Sequence, residues 1–152
     1  MAIVTKYGDG YPSGGLTAVE SINAEGQVRQ IYSKISVANL DSATSKLYLG
    51  RIPSNARILP NSTLYHSAIT GLASLDVGFP GAVAALLAAG DVSTAGTKSL
   101  VAAVLAGNLG RRVWQHAGLA ADPGGLMDVF ATMNAGATAA GTLEAFLYFA
   151  KG

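Results

Sequence analysis

The stretch TLEAFLYFA, residues 142–150, decides the fold class, because apolar side chains occupy every second position. The positions that share one face are Leu143, Ala145, Leu147 and Phe149. Strict alternation of this kind is the mark of a β-strand with one buried face. The stretch LMDVFATM, residues 126–133, alternates in the same way. We therefore expect two strands here, joined by the small-residue loop Asn134–Gly141.

Working outward from this pair, alternating patterns predict further strands. These are Gln27–Val37, Ser45–Ile52, Ala56–Ala68, Leu72–Phe79 and Arg111–Ala117. Pro60 inside the third of them suggests an edge position or a bulge, since proline cannot donate to a strand ladder. Many short strands separated by turn residues are typical of an antiparallel sandwich or barrel.

The stretch 82–107 is predicted differently. Its segments Ala82–Ala89 and Ser99–Ala106 are rich in Ala, Leu and Val, and each is followed by glycine. Alanine and leucine favour helices, and glycine commonly ends them. We expect one or two short helical turns or irregular chain in this part.

The N-terminal part predicts an extended arm. The run Gly8–Gly15 carries four glycines and a proline, and such a run has a high backbone entropy that it cannot offset alone. We therefore divide the chain into an arm, residues 1–26, and a β-sandwich domain, residues 27–152.

Composition excludes several function classes. Only 12% of the 152 residues are charged, against about 25% in a typical soluble domain, while 27 are alanine and 19 are glycine. A net charge of +1 gives no polybasic signature for nucleic acid, and the absence of cysteine excludes disulfides and thiolate metal sites. The uncharged windows Val77–Gly90 and Val129–Leu143 have 14 and 15 residues, fewer than the ~20 that a spanning helix needs. We expect a soluble protein made in the cytoplasm that uses neither membrane nor nucleic acid.

Groups for catalysis are scarce. His66 and His116 are the two histidines, no Gly-x-Ser-x-Gly motif occurs, and neither histidine has a carboxylate at a usual metal-ligand spacing. The sequence predicts no enzyme and no catalytic, cofactor or metal site.

Four residues are candidates for contact with a partner: Tyr7, Tyr11, Arg111 and Arg112. The tyrosines lie on a segment that cannot build its own core, and buried aromatic side chains are frequent in interfaces. The arginines stand beside Trp114, and arginine is favoured in interface ion pairs. The alternatives are that the tyrosines pack onto their own domain and that the arginines flank a strand. We expect Trp114 to point into the core.

Several segments, in this order, resemble those of tailed-bacteriophage head decoration proteins. They are SKLYLGRIPSNA (45–56), LDVG (75–78), WQHAGLAADPG (114–124), MDV (127–129) and the small residues 137–142 ahead of the last strand. The resemblance covers about two thirds of the chain, from Leu47 onward.

The resemblance implies a jelly-roll-like β-sandwich on the outer surface of a phage capsid. Such a protein cements neighbouring copies of the major capsid protein, acts as a homodimer or homotrimer, and has no catalytic residues. Two alternatives are another virion module, for tail or fibre attachment, and a carbohydrate-binding sandwich. The last usually exposes several aromatic side chains on one face, whereas we expect most of the 11 aromatics here to be needed for the core.

Overall fold

Ten strands form two sheets in the computed structural model, which describes residues 2–9 and 28–151. The strands are β1 (Thr5–Tyr7), β2 (Val28–Val37), β3 (Lys46–Pro53), β4 (Arg57–Ile58), β5 (Thr63–His66), β6 (Leu75–Phe79), β7 (Ala82–Gly90), β8 (Gly96–Ser99), β9 (Leu126–Met133) and β10 (Gly141–Ala150). A 3-10 turn covers Ala106–Asn108, and the helix α1 covers Val113–His116. Neither of these helical segments has the length and apolar character that crossing a bilayer requires.

The two sheets pack face to face, which confirms the predicted β-sandwich. The first has the order β1-β3-β9-β6-β7, and the second has the order β2-β10-β5-β8, with β4 also paired to β10. The alternation in β10 is confirmed, since its predicted inner face is at most 2% exposed. It packs with the inner face of β3, where Leu47 and Leu49 are fully buried. The jelly-roll type remains a prediction.

The described part of the predicted arm lies along the first sheet. β1 pairs in parallel with β3, so the sandwich is not wholly antiparallel as predicted. The Lys6 ammonium forms an ion pair with Asp41, in the loop after β2, and also donates to the carbonyl of Ser36 at 2.9 Å. Gly8 fits against β2 so closely that a β-carbon would lie 1.7 Å from the Ser33 Oγ. Tyr11 and the boundary proposed at residue 26 lie outside the described residues.

The helical turn expected at Ala82–Ala89 was wrong, because this segment is the strand β7. It forms a hairpin with β6 through a turn in which Gly81 has φ +82°. Register shifts along the hairpin let Leu86 and Leu87 both be buried. Strand pairing and burial outweigh the helix propensity of alanine, since tertiary contacts routinely override intrinsic propensity. The two strands approach so closely at Gly78 that a β-carbon there would lie 2.1 Å from the Ala82 carbonyl oxygen.

Two further boundaries differ from prediction. Ser99 ends a strand, and the helical turn comes later, at Ala106–Asn108. The strand expected at Ala56–Ala68 is interrupted around Pro60, which lies in the turn between β4 and β5.

The strand predicted at Arg111–Ala117 is instead the four-residue helix α1. The Gln115 side chain accepts a hydrogen bond from the Arg112 backbone N–H at 2.9 Å, and Gly118, with φ +76°, follows its last turn. The expectation that Trp114 points into the core was also wrong. Val113 is the fully buried side chain of this helix, whereas Trp114 is half-buried.

Candidate interaction surfaces

Tyr7 forms the exposed end of an aromatic ladder on the outside of the first sheet. Its ring stacks on Tyr48 in β3, with centroids 5.0 Å apart, and Tyr48 contacts Phe130 in β9 at 5.3 Å. The Lys46 ammonium lies 5.3 Å from the Phe130 centroid, within cation–π range. Tyr7 is 59% exposed, so the residue packs onto its own domain and still offers surface to a partner.

Arg111 and Arg112 lie in the segment that leads into α1. Arg111 lines a surface cavity of about 230 Å³, together with Leu105 and His116. Partial burial lowers the pKa of His116, and the positive charge of Arg111 lowers it further. Arg111 is exposed and Arg112 is half-buried, so the exposed cation of the pair is Arg111.

The structure does not bring the predicted tyrosine and the predicted arginines together. α1 packs against β7 and against the turn after β3, where the Trp114 N–H donates to the Ser54 carbonyl at 3.1 Å. Tyr7 pairs with Tyr48, which lies six residues before Ser54 in the sequence. Six residues of extended strand place Tyr48 roughly 20 Å from Ser54. Tyr7 and Arg111 therefore belong to two separate surfaces.

Two of the segments that carry the phage resemblance meet in space. The Ser54 hydroxyl donates to the carboxylate of Asp122, which also accepts from the Gly124 N–H at 2.9 Å. The Val113 N–H donates to the Ala56 carbonyl at 2.8 Å. The Ser54 hydroxyl, followed by the Gly124 N–H, lowers the pKa of Asp122. These residues connect two turns, which gives them a structural role that their separation in sequence concealed.

A second aromatic cluster lies on the outside of the second sheet. Phe146 in β10 contacts Tyr32 in β2 at 5.0 Å and Tyr65 in β5 at 5.5 Å between centroids. The Tyr32 hydroxyl hydrogen-bonds to Glu144, and its pKa is raised by desolvation and by that carboxylate. This cluster is not visible in the sequence, because its members come from three strands. The outward Phe146 in the alternating pattern of β10 was the available signal.

The expectation that most aromatic side chains serve the core was wrong. Among the described residues, Phe79, Phe130 and Phe149 are the buried aromatics, and the others are half-buried or exposed. Within the same ranges, no three His, Asp or Glu side chains come together as metal ligands would.

The fold matches two solved structures. One is a chain in the capsid of Ralstonia phage GP4, with a TM-score of 0.63, 22% identity, and coverage of 86% of this chain and 88% of that chain. The other is a chain in the capsid asymmetric unit of cyanophage Pam1, with a TM-score of 0.59, 14% identity, and coverage of 93% and 92%. The chain shares its fold with proteins of two phage capsids. No protein-family model matches the chain, and no curated protein matches it significantly.

Proposed function

We propose that this chain is a virion structural protein that decorates the outer surface of a phage head. In this role it bridges neighbouring copies of the major capsid protein and stabilises the shell. It acts mechanically, without catalysis, cofactor or metal, and is made in the host cytoplasm before it joins the particle.

One observation carries the proposal: both fold matches extend over more than four fifths of the chain, and both belong to phage capsids. The resemblance of the segments 45–56 and 114–124 to head decoration proteins supports it independently. The low charge is also compatible, since interface centres are depleted of charged residues.

The two separate surfaces fit a bridging protein, because a bridge needs at least two places of contact. We assign the first to Tyr7 with the arm that follows it, including Tyr11, and the second to Arg111 and Arg112. A protein of this kind acts in symmetric copies, and we propose a homodimer or homotrimer.

The test is binding of the purified protein to phage heads that lack it. We expect saturable binding to heads and a higher temperature of head disruption once the protein is bound. Binding to purified tails and not to heads would contradict the proposal and favour the tail or fibre alternative.

The arm is tested by substitution rather than by deletion. Removing residues 1–15 would also remove β1, so a loss of binding could then reflect damage to the first sheet. The double variant Tyr7→Ala/Tyr11→Ala should weaken head binding while the far-ultraviolet circular dichroism stays unchanged. The matched control is Leu40→Ala, which truncates a side chain that is 55% exposed, similar to Tyr7 at 59%. Equal head affinity of both variants would contradict the role of the arm.

A further inference from the structure

The outer face of the second sheet carries a groove that the proposed capsid contacts do not use. Its volume is about 470 Å³, within the ~300–1,000 Å³ typical of small-ligand sites. The groove, here called the β5–β10 groove, is lined by Asn61, Thr63, Tyr65, Glu144, Phe146 and Tyr148.

Strand register places aromatic and polar side chains next to each other in this groove. Phe146 lies opposite Thr63, and Glu144 lies opposite Tyr65, in the antiparallel pair of β10 and β5. The rings of Tyr65 and Phe146 meet edge to face, at 83° between their planes. The two ring planes are therefore nearly perpendicular, which makes the surface concave rather than flat.

The chemistry of the lining favours a ligand that has both C–H faces and many hydroxyl groups. Three of its six side chains are aromatic, and the others are an amide, a hydroxyl and a carboxylate, all able to accept hydrogen bonds. A pyranose ring presents polarised C–H groups on its faces, which suit the negative face of an aromatic ring. Its hydroxyls at the ring edge are donors for Asn61, Thr63 and Glu144.

A protein partner fits the groove less well. The lining contains no aliphatic side chain, whereas the buried centre of a protein interface is usually apolar as well as aromatic.

The charge of the lining also limits which ligands can bind. Glu144 is the charged residue of the lining, and its carboxylate lies 3.6 Å from the Lys34 ammonium outside it. A carboxylate in the lining disfavours an anionic ligand.

We propose that the β5–β10 groove binds a neutral saccharide, with a pyranose ring against Phe146 and Tyr65 and its hydroxyls on Asn61, Thr63 and Glu144. This goes beyond attachment to a capsid. It would let a protein on the particle surface contact polysaccharide while its other surfaces hold the shell.

The test uses the isolated full chain, so that its outcome is independent of capsid binding. Cellotetraose, maltotetraose and chitotetraose are titrated to about 10 mM while the ¹H–¹⁵N correlation spectrum is recorded, a range that detects even weak binding. We expect at least one of them to shift the amides of β5 and β10 in a saturable way. Trigalacturonate, an anionic oligosaccharide, should bind more weakly.

Three variants localise the effect. Tyr65→Ala should weaken the binding of the active oligosaccharide about tenfold, because it removes one stacking surface. Thr63→Val keeps the shape of the side chain and should weaken binding severalfold by removing a hydroxyl, so it tests the groove even if Tyr65→Ala perturbs β5. Leu119→Ala, which truncates a 41% exposed side chain outside the groove, should bind like the parent protein.

Three results would overturn the proposal. They are no shift with any neutral oligosaccharide at about 10 mM, binding that Tyr65→Ala and Thr63→Val leave unchanged, and concentration-dependent broadening of β5 and β10 without a saccharide effect. The last would assign the groove to a second copy of the chain.

Discussion

The Ser54 hydroxyl donates a hydrogen bond to the Asp122 carboxylate across 68 residues of sequence. Ser54 is 2% exposed and lies in the turn directly after β3, while Asp122 starts the Asp-Pro-Gly turn that leads into β9. Their contact orients the turn after β3, against which α1 also packs.

We expect Ser54→Ala to lower the melting temperature by a few degrees, because it removes a hydrogen bond to an ionised group. The folded state lowers the pKa of Asp122 below its ordinary 3.8, so this contribution is present above that pH and is lost as the pH falls through the folded pKa. The difference between Ser54→Ala and the parent, measured by thermal unfolding, should therefore shrink in strong acid. Ser36→Ala, at an exposed serine of β2, is the control. A difference that persists in strong acid would mean that the Asp122 carboxylate is not responsible.

Gly78 is predicted to be intolerant of alanine. A β-carbon there would meet backbone atoms of Ala82 and Val83 within 2.7 Å, and backbone cannot move aside without disturbing the β6–β7 hairpin. We expect the free energy of unfolding, measured by urea titration, to fall by about 1–3 kcal/mol or more. Gly107→Ala adds its methyl group to open space and should change stability by less than about 0.5 kcal/mol. Similar losses for both variants would contradict this account.

His116 predicts a pH dependence of stability. Its pKa in the folded protein lies below the ordinary 6.5, because of burial and then the charge of Arg111, so the unfolded chain binds more protons between the two pKa values. The contribution of neutral His116 to the free energy of unfolding is fully present above about pH 6.5 and decreases as the pH falls toward the pKa of the folded state. Urea unfolding at about pH 7.5 and about pH 5.5 should show a larger loss for the parent than for His116→Gln, which cannot titrate in that range. Parallel losses in the two proteins would show that His116 does not cause the dependence.

Lys6 is predicted to attach β1 to the rest of the domain. Its partner Asp41 has a side chain only 7% exposed, and without Lys6 that carboxylate keeps the Ala38 N–H, at 2.8 Å. We expect Lys6→Met to lower the free energy of unfolding by about 1–2 kcal/mol. It should also speed hydrogen exchange of the Gly8 amide, which donates to the Tyr48 carbonyl at 2.8 Å.

The control for this attachment is Lys34→Met. Lys34 pairs with Glu144 at 3.6 Å, and both side chains are more than a third exposed, so its loss should change stability by only about 0–1 kcal/mol. If exchange at Gly8 were equally fast in both variants, the ion pair of Lys6 would not be what holds β1.

Alternation predicted the strands that have one buried face and one outward face. Leu126–Met133 is β9 with the expected bounds, and β10 begins one residue before the predicted start at Thr142. In such strands the local sequence alone predicts which face is buried, because apolar residues occupy alternate positions. β7 lacks that signal, since its positions are mostly small residues and adjacent leucines are both buried.

The candidate surfaces were less predictable, because they depend on which strands become neighbours. Tyr7 was recognised as an aromatic on an unusual segment, but its stacking on Tyr48 requires the parallel pairing of β1 with β3. The β5–β10 groove likewise arises from register, which brings Tyr65 beside Phe146 across 81 residues. Composition alone suggested that these rings would be buried.

The central position of β10 has a consequence for synthesis of the chain. β10 pairs with β2, β4 and β5, so the second sheet lacks its central strand until residues 141–150 have left the ribosome. Until then the edges of β2 and β5 that β10 will cover remain open to strands of other chains. Pairings across more than a hundred residues also slow folding. Closure of the second sheet therefore waits for β10, and aggregation through the open edges of β2 and β5 competes with that step.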